Sequence, residues 1–308
     1  MTQHLAASQV ETAAQILRAG GLVAFATETV YGLGADATDG QAVARIYEAK
    51  GRPSFNPLIV HVPDLTAAQQ LADFPDAAHA LARAFWPGPL SLILPMRADA
   101  GVSTLVTAGL PNIAIRVPAH PGAVDLLTAA GKPIAAPSAN PSGRVSATTA
   151  NHVLAGLQGR IDAVIDFGPC EVGLESTIVA LQGDHVTLAR EGGLPCEHIE
   201  RALGRPLERA TAPEKVVSPG QLLSHYAPQV PIRLNAEAAR ESENVLGFGP
   251  TEGAALNLSM AGDLREAAAN LFAHLHRLDA LGKPIAVVPI PKNGLGAAIN
   301  DRLIRAAS

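Results

Sequence analysis

The chain has only two cysteines, Cys170 and Cys196, a single tryptophan and 4% aromatic residues in 308 positions. Two cysteines at that separation match neither a zinc-ligand spacing nor a disulfide framework, so they read as buried free thiols in a reducing compartment. Basic clusters are also missing: the net charge is −5, and no run of lysine and arginine occurs. Nucleic-acid binding draws its affinity from cations clustered against phosphates, so no strong direct nucleic-acid binding is expected. No apolar run reaches the ~18–20 residues that span a bilayer, and no basic segment followed by an apolar run opens the chain. The expectation is a cytoplasmic protein without a membrane partner. The common nucleotide and hydrolase signatures fail as well. There is no G-x-x-x-x-G-K-S/T loop, no G-x-S-x-G elbow and no H-x-x-x-H pair, and neither Gly32-Leu33-Gly34 nor Gly247-Phe248-Gly249 carries the third glycine of a dinucleotide fingerprint. Metal ligands are therefore unknown from sequence.

What is present is a generous apolar supply, 48% hydrophobic against 17% charged residues. A chain of this length corresponds to roughly two domains and can bury about three-quarters of its unfolded surface. Apolar strands are expected at 22–25, 57–62, 90–94, 113–117, 134–136, 163–165, 177–181 and 186–189. Helical patterns lie between many of them, at 39–50, 76–85, 121–130, 148–155 and 196–203. Ser8 and Glu11 form a capping-box pattern ahead of a first helix that Gly20 and Gly21 end. Asp39 is a good N-cap for the second helix, and Gly51 and Pro53 stop it. Strands alternating with helices indicate an α/β sheet. The turn Gln182-Gly183-Asp184 has hairpin chemistry, so the sheet is expected to be mixed.

From Arg205 to about Pro231 the periodicity dissolves into proline and glycine, and a connecting segment is expected over 206–230. It separates a larger unit, 1–205, from a smaller α/β unit, 231–308. The smaller unit has strands near 231–234, 245–248, 254–257 and 285–289 and helices near 263–280 and 294–306.

Charged residues inside this apolar background carry the chemistry. Thr27 to Gly34 followed by Lys50-Gly51-Arg52-Pro53 combines hydroxyls, backbone-exposing glycines and two cations, a mix that suits an anionic ligand close to the main chain. Lys50 and Arg52 also sit where a cation complements a helix C-terminus. Arg116 and Arg190 lie in apolar strands, where a guanidinium is costly unless it meets an anion, either a ligand or a structural Asp or Glu. His61 lies in Pro57 to Val62, where it either serves a ligand or is satisfied by a backbone carbonyl. Pro137 to Gly143 places Ser138 and Asn140 just after a strand, a common position for crevice residues in α/β sheets and equally an ordinary turn. Ser146 can be a helix cap, and Ser176 opens a strand.

In order, Thr27 to Gly34, Lys50 to Pro53, Asn56 to His61, Ile115 to Pro118, Pro137 to Asn140, Glu175 to Ile178 and Arg190 resemble the threonylcarbamoyl-AMP synthase family. The split Lys50/Arg52 and Ser138/Asn140 pattern is its hallmark. Ser218 to Gly220, His225 to Pro228 and Gly294 to Ile299 with Arg302 and Leu303 resemble the long form, so the resemblance covers essentially the whole chain. It implies a YrdC-like twisted mixed sheet flanked by helices, plus a smaller Rossmann-like α/β C-terminal domain. It implies a nucleotidyltransferase that makes threonylcarbamoyl-AMP and pyrophosphate from L-threonine, bicarbonate or CO2, and ATP with Mg2+. The product would pass to a threonylcarbamoyl transferase complex for tRNA threonylcarbamoyladenosine modification. Thr29, His61, Arg116 and Ser176 are expected around L-threonine. Lys50, Arg52, Asn56, Asn112, Ser138, Asn140, Ser146, Arg190 and Tyr226 are expected around ATP, with Lys50 and Arg52 catalytic and Tyr226 closing over the nucleotide from the connecting segment. Two rivals share parts of this pattern. A hydrogenase-maturation carbamoyltransferase would bring zinc-finger cysteines that are absent here, and an RNA-binding module would need a basic stripe.

Overall fold

The computed structural model describes residues 1–183, 185–209 and 225–308. Asp184 of the expected hairpin turn, Ser218 to Gly220 and most of the connecting segment lie outside the described residues. Among the described residues, eleven strands form one sheet: β1 Gln3–Ala6, β2 Val23–Ala26, β3 Tyr31–Asp36, β4 Ile59–His61, β5 Leu90–Pro95, β6 Asn112–Arg116, β7 Ile134–Ala135, β8 Ala163–Asp166, β9 Thr177–Gln182, β10 His185–Arg190 and β11 Glu208–Arg209. Their order is β1-β8-β2-β3-β7-β4-β6-β5-β9-β10-β11. Parallel β4–β6 and β5–β9 neighbour antiparallel β2–β3, β5–β6 and β9–β10, so the sheet is mixed as expected. A second, wholly parallel sheet orders β12 Ile232–Arg233, β15 Ile285–Val287, β13 Asn244–Gly247 and β14 Leu256–Asn257. Helices Leu264–Ala280 and Leu295–Ala306 complete that unit.

The elements form where the sequence favours them, with instructive exceptions. Asp39 caps helix Gly40–Lys50 by accepting from the Gln41 and Ala42 amides, and Gly51 ends it in the left-handed conformation at φ 61°. The first helix, Val10–Arg18, is not capped by Ser8: Gln9 occupies the N-cap position and no side chain caps it. Three strands escaped the periodicity, among them β11, which pairs with β10 inside the segment expected to be a connection. β1 buries only Leu5, too little alternation to register. β3 runs through Gly32 and Gly34, which pattern reading takes for a turn. The glycines are there for packing, since a Cβ on Gly34 would sit 2.9 Å from both Phe25 and Ile134.

The main core fills one face of the large sheet, where Ile46, Leu81, Val153 and Ile199 bring their helices against it. A second cluster packs helices Val10–Arg18 and Pro121–Ala130 against Phe25, Ile134 and Ile165. Between these helices and the C-terminal unit, the face carrying Ile59, Ile93, Ala114 and Ile178 is covered by only this small cluster, which becomes the floor of the site. The two sheets share a core: Val30, Val145 and Leu174 cluster with Tyr226, Leu271, Phe272 and Ile299. A Cβ on Gly173 would lie 2.4 Å from the Ala268 carbonyl, so only glycine lets this loop meet helix Leu264–Ala280.

Candidate active site

Side chains two apart on one strand share a face, and cross-strand partners share it too. His61 is paired with Arg116 and Ile59 with Ala114, which places both functional side chains on the sparsely covered face above the Ile59–Ala114 floor. Arg190 arrives by another route. Leu188 pairs with Val179, but Arg190 pairs with Ile178, so one residue, Ala189, is extra in β10. This β-bulge transfers Arg190 from the core side of Val186 and Leu188 to the side of Ile178.

Above this floor lies a cleft whose walls include Thr27, Thr29, Arg52, His61, Arg116, Ser138, Glu175, Ser176, Arg190, His225 and Tyr226. The Thr27–Val30 turn between β2 and β3 forms one wall. It is held by Thr27, whose Oγ1 donates to the Val30 carbonyl at 2.7 Å and accepts from the Thr29 amide at 3.2 Å. Arg116 is fastened from three sides. Its Nη1 donates to Thr29 Oγ1 at 2.8 Å, its Nε to the Gly88 carbonyl at 3.2 Å, and its Nη2 lies 2.6 Å from Glu28 Oε1 without hydrogen-bond alignment. The structural pairing open for Arg116 is present, and the side chain also lines the cleft, with guanidinium hydrogens left over. Arg190 donates to the Ser176 carbonyl through Nε at 3.1 Å and Nη2 at 2.8 Å, and Ser176 Oγ meets Ser91 Oγ at 2.7 Å. His61 keeps its Nδ1 near the Ile59 carbonyl at 3.3 Å. Burial first, and the Arg116 charge second, lower its pKa to about 3, so the ring is neutral near pH 7. His225 is likewise lowered to about 3, chiefly by burial.

Thr29, His61, Arg116, Ser176, Arg52, Ser138, Arg190 and Tyr226 therefore meet in one cavity. The other expected residues stand behind it. The Lys50 ammonium is buried and donates to the Ser138 carbonyl at 2.5 Å and to the Asn140 carbonyl, fixing the loop that presents Ser138. Burial, then the neighbouring Arg52 charge, holds its pKa well below the usual lysine value. Arg52 donates to the carbonyls of Asn56 and Pro57, and burial lowers its pKa to about 10. Asn56 thus contributes its backbone, and its buried Oδ1 has no partner. Asn140 donates from Nδ2 to the Pro141 and Arg144 carbonyls. Ser146 Oγ donates to Glu175 Oε1 at 2.5 Å. Asn112 is opposite Pro95 at the far end of β6, about 13 Å along the strand from Arg116.

Sequence reasoning quoted Glu28 and Glu175 without giving them roles, and missed His225 as a cleft residue. Glu28 is the partner of Arg116; Glu175 is the partner of Arg302, whose Nε lies 3.0 Å from its Oε2. Each carboxylate lies in a motif separate from the arginine that it meets, so no local pattern signalled these pairs. Three guanidinium groups against two committed carboxylates leave the cavity suited to anions. In the dry interior such fixed cations bind charge far more strongly than they would in water. Neither carboxylate offers a vacant metal position, and among the described residues no group of three or more His, Cys, Asp or Glu could hold a metal ion. Among the described residues, too, no helix is long and apolar enough to cross a membrane.

Two family models match the chain. One, described as "Telomere recombination" (Sua5_yciO_yrdC), covers residues 15–192, and the other, described as "Threonylcarbamoyl-AMP synthase, C-terminal domain", covers 194–308. A protein named threonylcarbamoyl-AMP synthase from Bacillus subtilis is 41% identical over 97% of this chain and 93% of its own length. A protein of the same name from Pyrococcus abyssi is 39% identical over 97% of this chain and 94% of its own. The crystal structure of P. abyssi Sua5 complexed with L-threonine superposes with a TM-score of 0.91 and 36% identity, covering 100% of this chain and 97% of that one.

Proposed function

The chain belongs to the threonylcarbamoyl-AMP synthase family, and from that premise we propose that its buried cleft joins L-threonine, bicarbonate or CO2, and ATP into threonylcarbamoyl-AMP and pyrophosphate. The observation that carries this reading is the convergence of Arg52, Arg116 and Arg190 with Thr29, His61, Ser138 and Ser176 on one cleft. L-threonine is assigned to the end bearing Thr29, His61, Arg116 and Ser176. There Arg116, already oriented by Glu28, would grip the amino acid carboxylate through its remaining N–H groups. ATP is assigned to Arg52, Ser138, Arg190 and Tyr226, with Lys50, Asn56, Asn140 and Ser146 shaping that wall from behind. Asn112 would meet only the far end of the nucleotide.

The reaction is two bond-forming steps. The threonine amine attacks CO2, forming an N–C bond and releasing a proton. The resulting carbamate oxygen attacks the α-phosphorus of ATP, and pyrophosphate leaves. An anion attacking a polyanion needs fixed positive charge where negative charge develops, and the arginines supply it without reorganising. Magnesium would arrive on the triphosphate and neutralise part of its charge. The adenylyl transfer makes this a nucleotidyltransferase; its product is a mixed anhydride that hydrolyses in water. We assign residues 1–205 to catalysis, 206–230 to the connection that carries Tyr226, and 231–308 to a unit that closes the site. Handing the product to a threonylcarbamoyl transferase complex, for tRNA threonylcarbamoyladenosine modification in the cytoplasm, completes the reading. The test is pyrophosphate release from ATP. It is expected to require both L-threonine and bicarbonate, and robust release with either one omitted would sink the assignment.

A further inference from the structure

We propose that Arg302, on the last helix of the C-terminal unit, is a positioning residue of the cleft, holding Glu175 and Tyr226 where the ligands need them. The inference rests on reading the cleft as the threonine and ATP site, and adds that this site is incomplete without the final helix.

Arg302 is wholly buried, an unusual place for a guanidinium. Its Nε donates to Glu175 Oε2 at 3.0 Å, its Nη1 to Asp301 Oδ2 at 2.8 Å, and its central carbon stands 5.2 Å from the Tyr226 ring centroid. The second Glu175 oxygen accepts from Ser146 Oγ. Glu175 itself borders the cleft, and the next residue, Ser176, carries the carbonyl to which Arg190 donates. One chain of contacts thus runs from the last helix to a cation at the ligand. The first carboxylate of the cleft, Glu28, finds its arginine inside the large sheet, whereas the second finds its own in the other sheet's unit.

The charges around Glu175 show what Arg302 prevents. Arg302 and Arg190 face the carboxylate, with His225 and Tyr226 beyond them and the Ser146 hydroxyl on the opposite oxygen. Burial alone would raise the carboxyl's pKa; Arg302, then Arg190, keep it below the usual value. Without Arg302, Glu175 must either take up a proton or turn wholly to Arg190, drawing that charge away from the anion in the cleft. The Tyr226 ring would lose the cation beneath it in the same step.

The test compares full-length Arg302→Met, Arg302→Lys and the double variant Glu175→Gln/Arg302→Met with the unaltered protein. For Arg302→Met, kcat is expected to fall at least tenfold, KM for ATP to rise more than KM for L-threonine, and the acid limb of the rate profile to move toward neutral pH. The double variant removes both charges. It is expected to recover at least fivefold over Arg302→Met and to return the acid limb to its original position. Arg302→Lys, which keeps the charge without the planar fork, is expected to fall between, with the original acid limb. Unaltered kinetics in Arg302→Met would overturn the proposal, as would a loss that the double variant fails to relieve. If the unaltered protein shows no threonine- and bicarbonate-dependent turnover, the reaction fails but Arg302 remains testable. Hydrogen exchange at residues 174–177 and 225–227 is then expected to quicken at least tenfold in Arg302→Met, and unchanged exchange would refute the positioning role.

Discussion

Arg116 lies 2.6 Å from Glu28, and both side chains are almost wholly shielded from solvent. The Thr27–Val30 turn therefore carries the anion that orients the cleft's arginine as well as a hydroxyl that touches it. Glu28→Ala would leave a buried guanidinium unpaired, which typically costs about 3–5 kcal/mol. The expected outcome is a loss of that order in urea-unfolding stability, together with weakened L-threonine binding by calorimetry. Arg116→Lys would retain charge but lose the fork, and is expected to weaken threonine binding while leaving ATP binding nearly intact.

Lys50 and Arg52 belong to one motif but do different work. Arg52 borders the cavity, so Arg52→Ala is expected to lower kcat by about 10²–10³-fold, the scale of one lost electrostatic donor. Lys50 grips two backbone carbonyls. Lys50→Met leaves the Ser138 carbonyl with only the Asn140 amide and takes the Lys50 donor from the Asn140 carbonyl, at roughly 1–3 kcal/mol for a carbonyl left unsatisfied, so it is expected to lower the melting temperature as well as activity. An unchanged melting temperature would place the Lys50 amine in the ligand site instead.

His61 and His225 both have pKa values near 3 against an ordinary 6.5. In the unfolded chain they take up protons as pH falls below about 6.5, while the folded protein resists protonation until about 3. Acidification through that window therefore favours unfolding, at about 1.4 kcal/mol per pH unit for each histidine once the unfolded form is protonated. Stability is expected to fall from pH 6 to pH 4, and His61→Gln/His225→Gln to flatten that slope by about two protons. An unchanged slope in urea titrations would contradict it.

Tyr226 adopts φ 63° and stacks on Phe272 at 5.5 Å, so its position is enforced from the C-terminal unit. Tyr226→Ala is expected to weaken ATP retention more than threonine binding. Phe272→Ala is expected to do the same at a distance, and to cost about 3–5 kcal/mol as a buried aromatic deletion. Equal effects on both ligands in equilibrium binding would remove the role of Tyr226 as the cover of the nucleotide.

The elements most legible in the sequence are those with sharp local chemistry. Helix Gly40–Lys50 announces itself through Asp39 and Gly51, and strands β4, β6 and β9 through unbroken apolar runs. β3 was hidden because its glycines answer to Phe25 and Ile134 on neighbouring strands. The expected capping role of Ser8 failed because Gln9 holds the N-cap position instead. Within the site, motif order located the cavity residues, whereas the distinction between Arg52 at the cavity and Lys50 behind it depends on where the Ser138–Asn140 carbonyls point. The Arg302 pair was beyond local reading because Glu175 lies 127 residues earlier in the chain.

The extra residue at Ala189 makes Arg190 a matter of strand phase. Deleting that single alanine would place the arginine directly after Leu188 and still opposite Ile178, so the bulge would vanish while the guanidinium stayed on the cleft side. The strand could thus lose three bases in frame there and keep its arginine facing the cleft, whereas ironing out the bulge with Ala189 retained would turn that arginine toward Val186 and Leu188.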